Sequence, residues 1–465
     1  MLTRRIVWLL IFPLWWACTP DEEVFSELSD ESLYFSTDTL YFDTLLTTQL
    51  SPSYRLLLYN PNKNGVIVPG IRLKQLEGSP FELTINGLSG KAFNNIKILG
   101  NDSLLVLVNS RLPVTGEVEA KRVLDYLEVV GTTRTNVVLD AWAQDASYYK
   151  GLSVIEEDET WHAGMPYVVS DSLAVAPGVT LTIKAGVEAL MQPGAKLFVL
   201  GTLITEGTPG KKVVFRNTRN DRDYREAPGQ WVGIYFLEGS KDNFLNHTVI
   251  KNGEVGLRIG TPDDDDIPDV VIANCSIGNM SSDGILALTS DVYAYNTVVY
   301  NAARYLVANV AGGNYRYEHC TFSNYPSDFF REDPSVIFSD NILLANEELF
   351  TAPLQARIFN SVIWGTQKEE IEFNTGDGSS FIYQVGNSLL KTTNSLLNAN
   401  NNLVNTPPKF FNEFLYDYRP DSLSPLINKA KYLNIDLDNL GHQRDSLPDI
   451  GAYEWVPGQK ENDEG

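Results

Sequence analysis

The sequence predicts an all-β chain in which a β-sandwich precedes a long β-solenoid. Three observations carry that expectation. One short phrase recurs seven times between Asn246 and Leu390: a small hydrogen-bonding residue, a small polar residue, any residue, then a hydrophobe. The copies end at Ile250, Ile277, Val299, Phe322, Leu343, Ile363 and Leu390, at intervals of 27, 22, 23, 21, 20 and 27 residues. A period near 22 is too short for a two-helix repeat and suits one coil of a solenoid. Upstream, short alternating stretches such as 54–59, 104–108 and 137–142 are separated by breakers including Asn60-Pro61-Asn62 and Gly100-Asn101-Asp102. Strands punctuated in this way build a sandwich.

In chain order, Arg4-Arg5 precede an apolar run over 6–17 that ends at Cys18. The run is too short to span a bilayer as a helix and has the form of a secretion signal. A cysteine directly after a small residue at this place resembles the cleavage site of bacterial lipoproteins. The resemblance implies removal of residues 1–17 and acylation of Cys18. It also implies anchoring in the outer membrane through several acyl chains, which hold a protein where one chain would not. Asp21-Glu22-Glu23 resembles the export signal of Bacteroidota-type lipoproteins displayed on the outer surface. Residues 18–31 are expected to form an acidic tether, 32–146 the sandwich, and 147–160 a linker.

Within the sandwich, Leu58-Tyr59-Asn60-Pro61, Phe81-Glu82-Leu83 and Asp102-Ser103-Leu104-Leu105-Val106 resemble immunoglobulin-like domains of bacterial surface proteins. From residue 161 to 408, Gly186, Gly194, Gly201 and Gly207 punctuate short strands, and Pro228-Gly229-Gln230-Trp231 leads into Gly233-Ile234-Tyr235-Phe236. This stretch resembles right-handed parallel β-helix proteins of the pectate-lyase-like superfamily, in particular surface lipoproteins whose helix follows an immunoglobulin-like domain. Asp436-Leu437-Asp438, Gly441, Arg444 and Asp449-Ile450-Gly451-Ala452-Tyr453-Glu454 resemble the closing segment of such helices. Residues 409–455 are therefore expected to cap the helix, and 456–465 to form a disordered tail.

The repeat has a direct physical reading. Side chains two apart share a face of a strand, so Thr248, Cys275, Thr297 and Cys320 should point inward beside Ile250, Ile277, Val299 and Phe322. Adjacent coils stack at about 4.8 Å, which leaves Cys275 and Cys320, two coils apart, too distant for a disulfide. Both are expected as free buried thiols. The column His247, Asn274, Asn296, His319, Asp340, Asn360 and Asn387 is placed at a tight bend. Asparagine tolerates that backbone, and its amide can donate to one coil while accepting from the next. Asn252, Asn279, Asn301 and Asn324 form a second such ladder.

Chemistry is sparse. The formal charge of −23 repels phosphate backbones and argues against nucleic acid as a partner. Four histidines and three cysteines form neither H-E-x-x-H nor C-x-x-C, and no nucleophile elbow, P-loop or dinucleotide fingerprint occurs, so no cofactor is expected. Asp263, Asp264, Asp265 and Asp266, between two prolines, are the candidate metal ligands, without the alternate spacing of a dedicated calcium loop. Asp283 and Asp291 lie between rungs, where a groove would run. Trp231, Tyr235, Tyr300 and Trp364 are candidates for a sugar-stacking platform on the outer face. Tripeptides such as Asp171-Ser172-Leu173, Asp421-Ser422-Leu423 and Asp445-Ser446-Leu447 resemble the O-glycosylation acceptor of Bacteroidota-type exported proteins.

The expected function is that of a lipid-anchored, non-catalytic cell-surface protein whose β-helix binds a glycan or a partner protein. Two alternatives stand beside it. One is a polysaccharide lyase or glycoside hydrolase of the parallel β-helix class; the other is an accessory subunit of an outer-membrane import or assembly complex.

Overall fold

The computed structural model describes residues 24–27, 33–131, 136–221, 223–262, 265, 267–325, 329–376 and 380–459. The apolar run 6–17, Cys18, Asp263, Asp264 and Asp266 lie outside the described residues. The chain is all-β, with two compact units: one holds 33–115 and Lys121–Ala143, the other 116–120 and everything from Gln144 onward.

The first unit is a sandwich of a six-stranded and a five-stranded sheet. Alternation decides which side chains lie between them. Leu56 and Leu58, Phe81, Leu83 and Ile85, and Val106 and Val108 come from one sheet. Val66, Val68, Ile71, Leu127, Val129 and Leu139 come from the other, and all are buried in a single cluster. The expected tether is not wholly free: Phe25–Glu27 is a strand that pairs in parallel with Gly65–Ile67.

The second unit is a parallel β-helix, right-handed as parallel strand crossovers are. Each coil carries three strands, for example Gly233–Phe236, Asn243–Asn246 and Thr248–Lys251. We call these the first, second and third faces. Third-face strands form an 11-stranded parallel sheet. First and second faces belong to one 16-stranded sheet, because Ile285–Tyr295 and Val307–Glu318 run unbroken through the corner between them. Inside, Ile250, Ile277, Val299, Phe322, Ile363 and Leu390 pair in that order from coil to coil. All six are fully buried.

From Thr248–Lys251 to Leu389–Leu390, the bend before each third-face strand is left-handed. His247, Asn274, Asn296, His319, Asn360 and Asn387 have φ of 43°, 55°, 49°, 51°, 54° and 51°. Asn296 donates to Asn274 Oδ1 at 3.0 Å and Asn274 to Asn246 Oδ1 at 2.8 Å, while the Asn360 amide meets His319 Nε2 at 2.8 Å. At the other end of the strand Asn301 donates to Asn279 at 2.7 Å, and Asn279 to the Glu226 carboxylate at 2.6 Å. Short amide side chains suit both demands of the bend, a positive φ and a hydrogen bond along the axis.

Four expectations need correction. Asp340-Asn341-Ile342-Leu343 is not a rung: Phe322 pairs directly with Ile363, and Asn341–Leu343 forms an antiparallel hairpin with Leu349–Thr351. The phrase there follows the first-face strand Val336–Ser339, where no tight bend is required, and Asp340 Oδ1 accepts from Gly376 N instead. Residues 147–160 are not a linker, since Ser147–Tyr149 and Leu152–Ile155 pair with the next coil and Glu159 begins the first second-face strand. The segment 409–455 is a strap along the outer side of the third face rather than an end cap. Phe410, Tyr418, Leu426, Ile450 and Ala452 cover Val298, Tyr300, Val362, Trp364 and Leu389. Residues 456–459, assigned to the tail, are placed, with the Gln459 amide donating to Pro420 O at 3.1 Å.

The corrected register is open to a stability test. Phe322→Ala, which empties the inner column, should cost about 3–5 kcal/mol. Leu343→Ala, at a side chain 65% exposed, should change stability by less than about 0.5 kcal/mol. Denaturant midpoints of the two variants measure the difference.

Candidate binding groove

A groove of about 410 Å³ opens on the outside of the helix at the corner between first and second faces. The corner depends on unusual backbone. Thr289 and Ala311 have φ of 48° and 64°, and Gly312 and Gly313 have φ of 89° and 111°. A Cβ on Gly313 would lie 2.3 Å from Ser290 O, so only glycine lets the two coils approach there. The hydroxyls of the wall are held: Ser290 Oγ accepts from Thr261 N at 3.1 Å, and Thr289 Oγ1 donates to Ala311 O at 2.8 Å.

Strand parity lays out the floor. Asp291 pairs with Asn314, Asn314 with Gln355, and Gln355 with Ile382. Asp269 precedes Val270, the partner of Val292, and so stands one coil before Asp291. The outward column is therefore Asp269, Asp291, Asn314, Gln355 and Ile382, passing from carboxylate to amide to hydrocarbon. The two buried carboxylates stitch coils together: Asp269 Oδ2 accepts from Asp291 N at 2.8 Å, and Asp291 Oδ1 from Asn314 N at 2.8 Å.

The neighbouring outward column is Val271, Tyr293, Arg316, Arg357 and Gln384. Tyr293 donates to Glu318 Oε2 at 2.8 Å, Arg316 Nε donates to Glu318 Oε1 at 2.8 Å, and the guanidinium lies 4.5 Å over the Tyr293 ring. Burial and the Glu318 carboxylate raise the Tyr293 phenol well above its ordinary range, so it remains a neutral donor. A column carrying aromatic carbon and two arginines thus flanks an amide-bearing floor.

The residues proposed from sequence are not gathered here. Trp231 is inside the core, its indole donating to Lys251 O at 2.8 Å. Tyr300 and Trp364 lie beneath the strap. Tyr235 is half-buried on the first face, with Phe198 at its edge and Arg258 over its ring. Hence three of the four platform candidates are closed to a ligand. Asp265 and Asp291 do border the groove, whereas Asp283 is buried and accepts from Tyr305 N at 3.2 Å. Among the described residues no group of three or more His, Cys, Asp or Glu side chains is arranged to hold a metal ion. Asn314 and Gln355 escaped sequence reasoning because coils vary in length. The one local signal is Gly312-Gly313 directly before Asn314.

Of the acceptor-like tripeptides, Asp421 and Asp445 each accept from the backbone two residues on, at 2.6 and 2.7 Å, and leave Ser422 and Ser446 exposed. Ser172 is buried and bonded to Asp171. On the third face Cys275 and Cys320 are free and fully buried, and burial pushes both thiols up to about 12. Both should therefore resist an aqueous thiol reagent in the native protein and react once it is unfolded.

No family model matches the chain. It is similar to Protein bark beetle of Drosophila melanogaster, 37% identical over 76 residues, which are 16% of this chain and 2% of that protein. The chain thus spans a fiftieth of that relative's length. Among solved structures, the catalytic domain of a GH87 alpha-1,3-glucanase in complex with tetrasaccharides aligns over 72% of this chain and 92% of its own, at 8% identity and a TM-score of 0.14. At that score the likeness carries no functional argument.

The ladder histidines give a pH dependence. Burial first, then Lys212, lowers His247 from 6.5 to about 4. Burial and Arg444 hold His319 well below its ordinary value. The native state favours neutral rings, so their contribution is whole above pH 6.5 and drains as the pH falls through about 4. The thermal midpoint should drop across that window. His247→Asn, which places a residue tolerant of positive φ in the same bend, should flatten part of the drop.

Proposed function

We propose that this protein is a cell-surface protein of bacterial lipoprotein type, anchored through acylated Cys18, with an immunoglobulin-like spacer carrying a β-helix that binds a glycan without cleaving it. The observation that carries the binding role is the groove at the corner of the first and second faces. Its lining combines carboxylates, amides and hydroxyls with the hydrocarbon of Pro353 and Ile382, a mixture that recognises sugar hydroxyls and the apolar face of a sugar ring. The non-catalytic role is supported by the work already assigned to Asp269 and Asp291, each of which accepts a backbone N–H of the following coil.

One observation favours a second reading, a glycoside hydrolase. Asp269 and Asp291 stand on adjacent coils, and strand spacing of about 4.8 Å approaches the separation of about 5–5.5 Å between the carboxyl groups of retaining glycosidases. Incubation with a panel of plant, host and microbial polysaccharides separates the two. Binding without release of reducing ends or unsaturated products is the expected result. Cleavage that disappears in Asp291→Asn would establish the enzyme instead. Metabolic labelling with a fatty-acid analogue should mark the wild-type protein and leave Cys18→Ser unmarked; equal labelling of both would remove the anchor from the reading.

A further inference from the structure

Amide columns in this protein come in two states. On the third face Asn296 and Asn274, and likewise Asn301 and Asn279, are linked across coils at 3.0 and 2.7 Å. Asn314 and Gln355 are opposite one another on adjacent coils in the same manner, yet neither side chain has a hydrogen-bond partner among the described residues. Both are half-buried and line the groove. A side-chain amide offers two donors and an acceptor with two lone pairs, so this column presents unspent hydrogen-bonding capacity at the interval of the coils.

We infer that the groove takes a linear, uncharged hexopyranose chain lying along the solenoid axis, with about one sugar per coil. The inference rests on the glycan-binding reading and specifies its ligand. The coil repeat of about 4.8 Å is close to the length of one hexopyranose unit in an extended chain, so hydroxyls of successive sugars meet Asp291, Asn314 and Gln355 in turn. Beyond them, exposed Ile382 and Pro353 offer hydrocarbon to the C–H face of a ring. Among the described residues the lining carries carboxylates and no basic side chain, which selects against uronates. Asp265, Asp269 and Asp291 border the groove, and the whole chain carries −23. A peptide strand is a poor occupant, because its hydrogen-bonding groups on one edge do not recur at this interval.

The test is a length series of neutral gluco-, manno- and galacto-oligosaccharides, from one to six sugars, titrated against the detergent-solubilised full chain. Affinity should tighten with each sugar up to about four, the coils from Asp291 to Ile382, and then level off. Asn314→Ala and Gln355→Ala should each weaken the tetrasaccharide about tenfold and leave the thermal midpoint unchanged. Asn296→Ala, in a closed ladder, should lower the midpoint and spare the affinity. Binding that is flat with length, stronger for oligouronides, or indifferent to both groove variants overturns the inference and leaves the glycan-binding reading intact. A chain that binds no sugar in the series or on a broader glycan array overturns both.

Discussion

Everything in the helical unit depends on one constraint: successive coils must lie at strand spacing with like side chains in register. The inner column from Ile250 to Leu390 satisfies it with hydrocarbon. The bends satisfy it with left-handed residues whose side chains bond along the axis. These two requirements explain each other. A two-residue turn holds the third-face strand at a fixed offset from the second, and that offset brings Thr248, Cys275, Thr297 and Cys320 into vertical alignment. The side chains of Cys275, Thr297 and Cys320 bond to backbone carbonyls of the preceding coil, as Thr297 Oγ1 does to Ile272 O at 3.1 Å, while Thr248 Oγ1 meets Thr205 Oγ1 at 2.6 Å.

The same constraint sorts polar side chains into those consumed by the architecture and those left over. Asp269 and Asp291 act within the coils, and so do both third-face ladders. Where a coil departs from the pattern, buried ions restore order. Residues 331 and 335 are tied to the next coil through Arg331 and Glu370, both almost wholly buried, with Glu370 also accepting from Ser335 and Gln367. An isolated buried charge would be costly, and the fork of Arg331 on one carboxylate offsets that cost. Against that background, Asn314 and Gln355 lie on the floor of a groove with no side-chain partner among the described residues.

Much of the fold was legible from the sequence, because a stacked column imposes identical chemistry at recurrent positions. Ile277, Val299 and Phe322 announce it directly. Asp340-Asn341-Ile342-Leu343 shows where that legibility ends: the phrase encodes a local preference, and only the preceding strand decides whether it enters a third face or leaves the stack. Trp231, Tyr300 and Trp364 mark a similar boundary. Residue type suggested a platform, whereas exposure was decided by parity and by a strap from the end of the chain. Of the groove only Asp265 and Asp291 were singled out in the sequence; its floor was not legible, since Asp291, Asn314, Gln355 and Ile382 are separated by 23, 41 and 27 residues and meet only in the stacked coils.

The strap carries a consequence for the order of events in biosynthesis. Ala452 reaches Thr321, Asn439 reaches Asn296, and Arg444 reaches the same Asn296, across 131, 143 and 148 residues. A polypeptide that emerges N-terminus first can wind its spiral before these last segments exist, but one flank stays oily and bare until they arrive. Arrival of residues 410–452, rather than formation of the spiral, is what seals the surface. A product ended before residue 410 would keep its groove and betray itself by that flank.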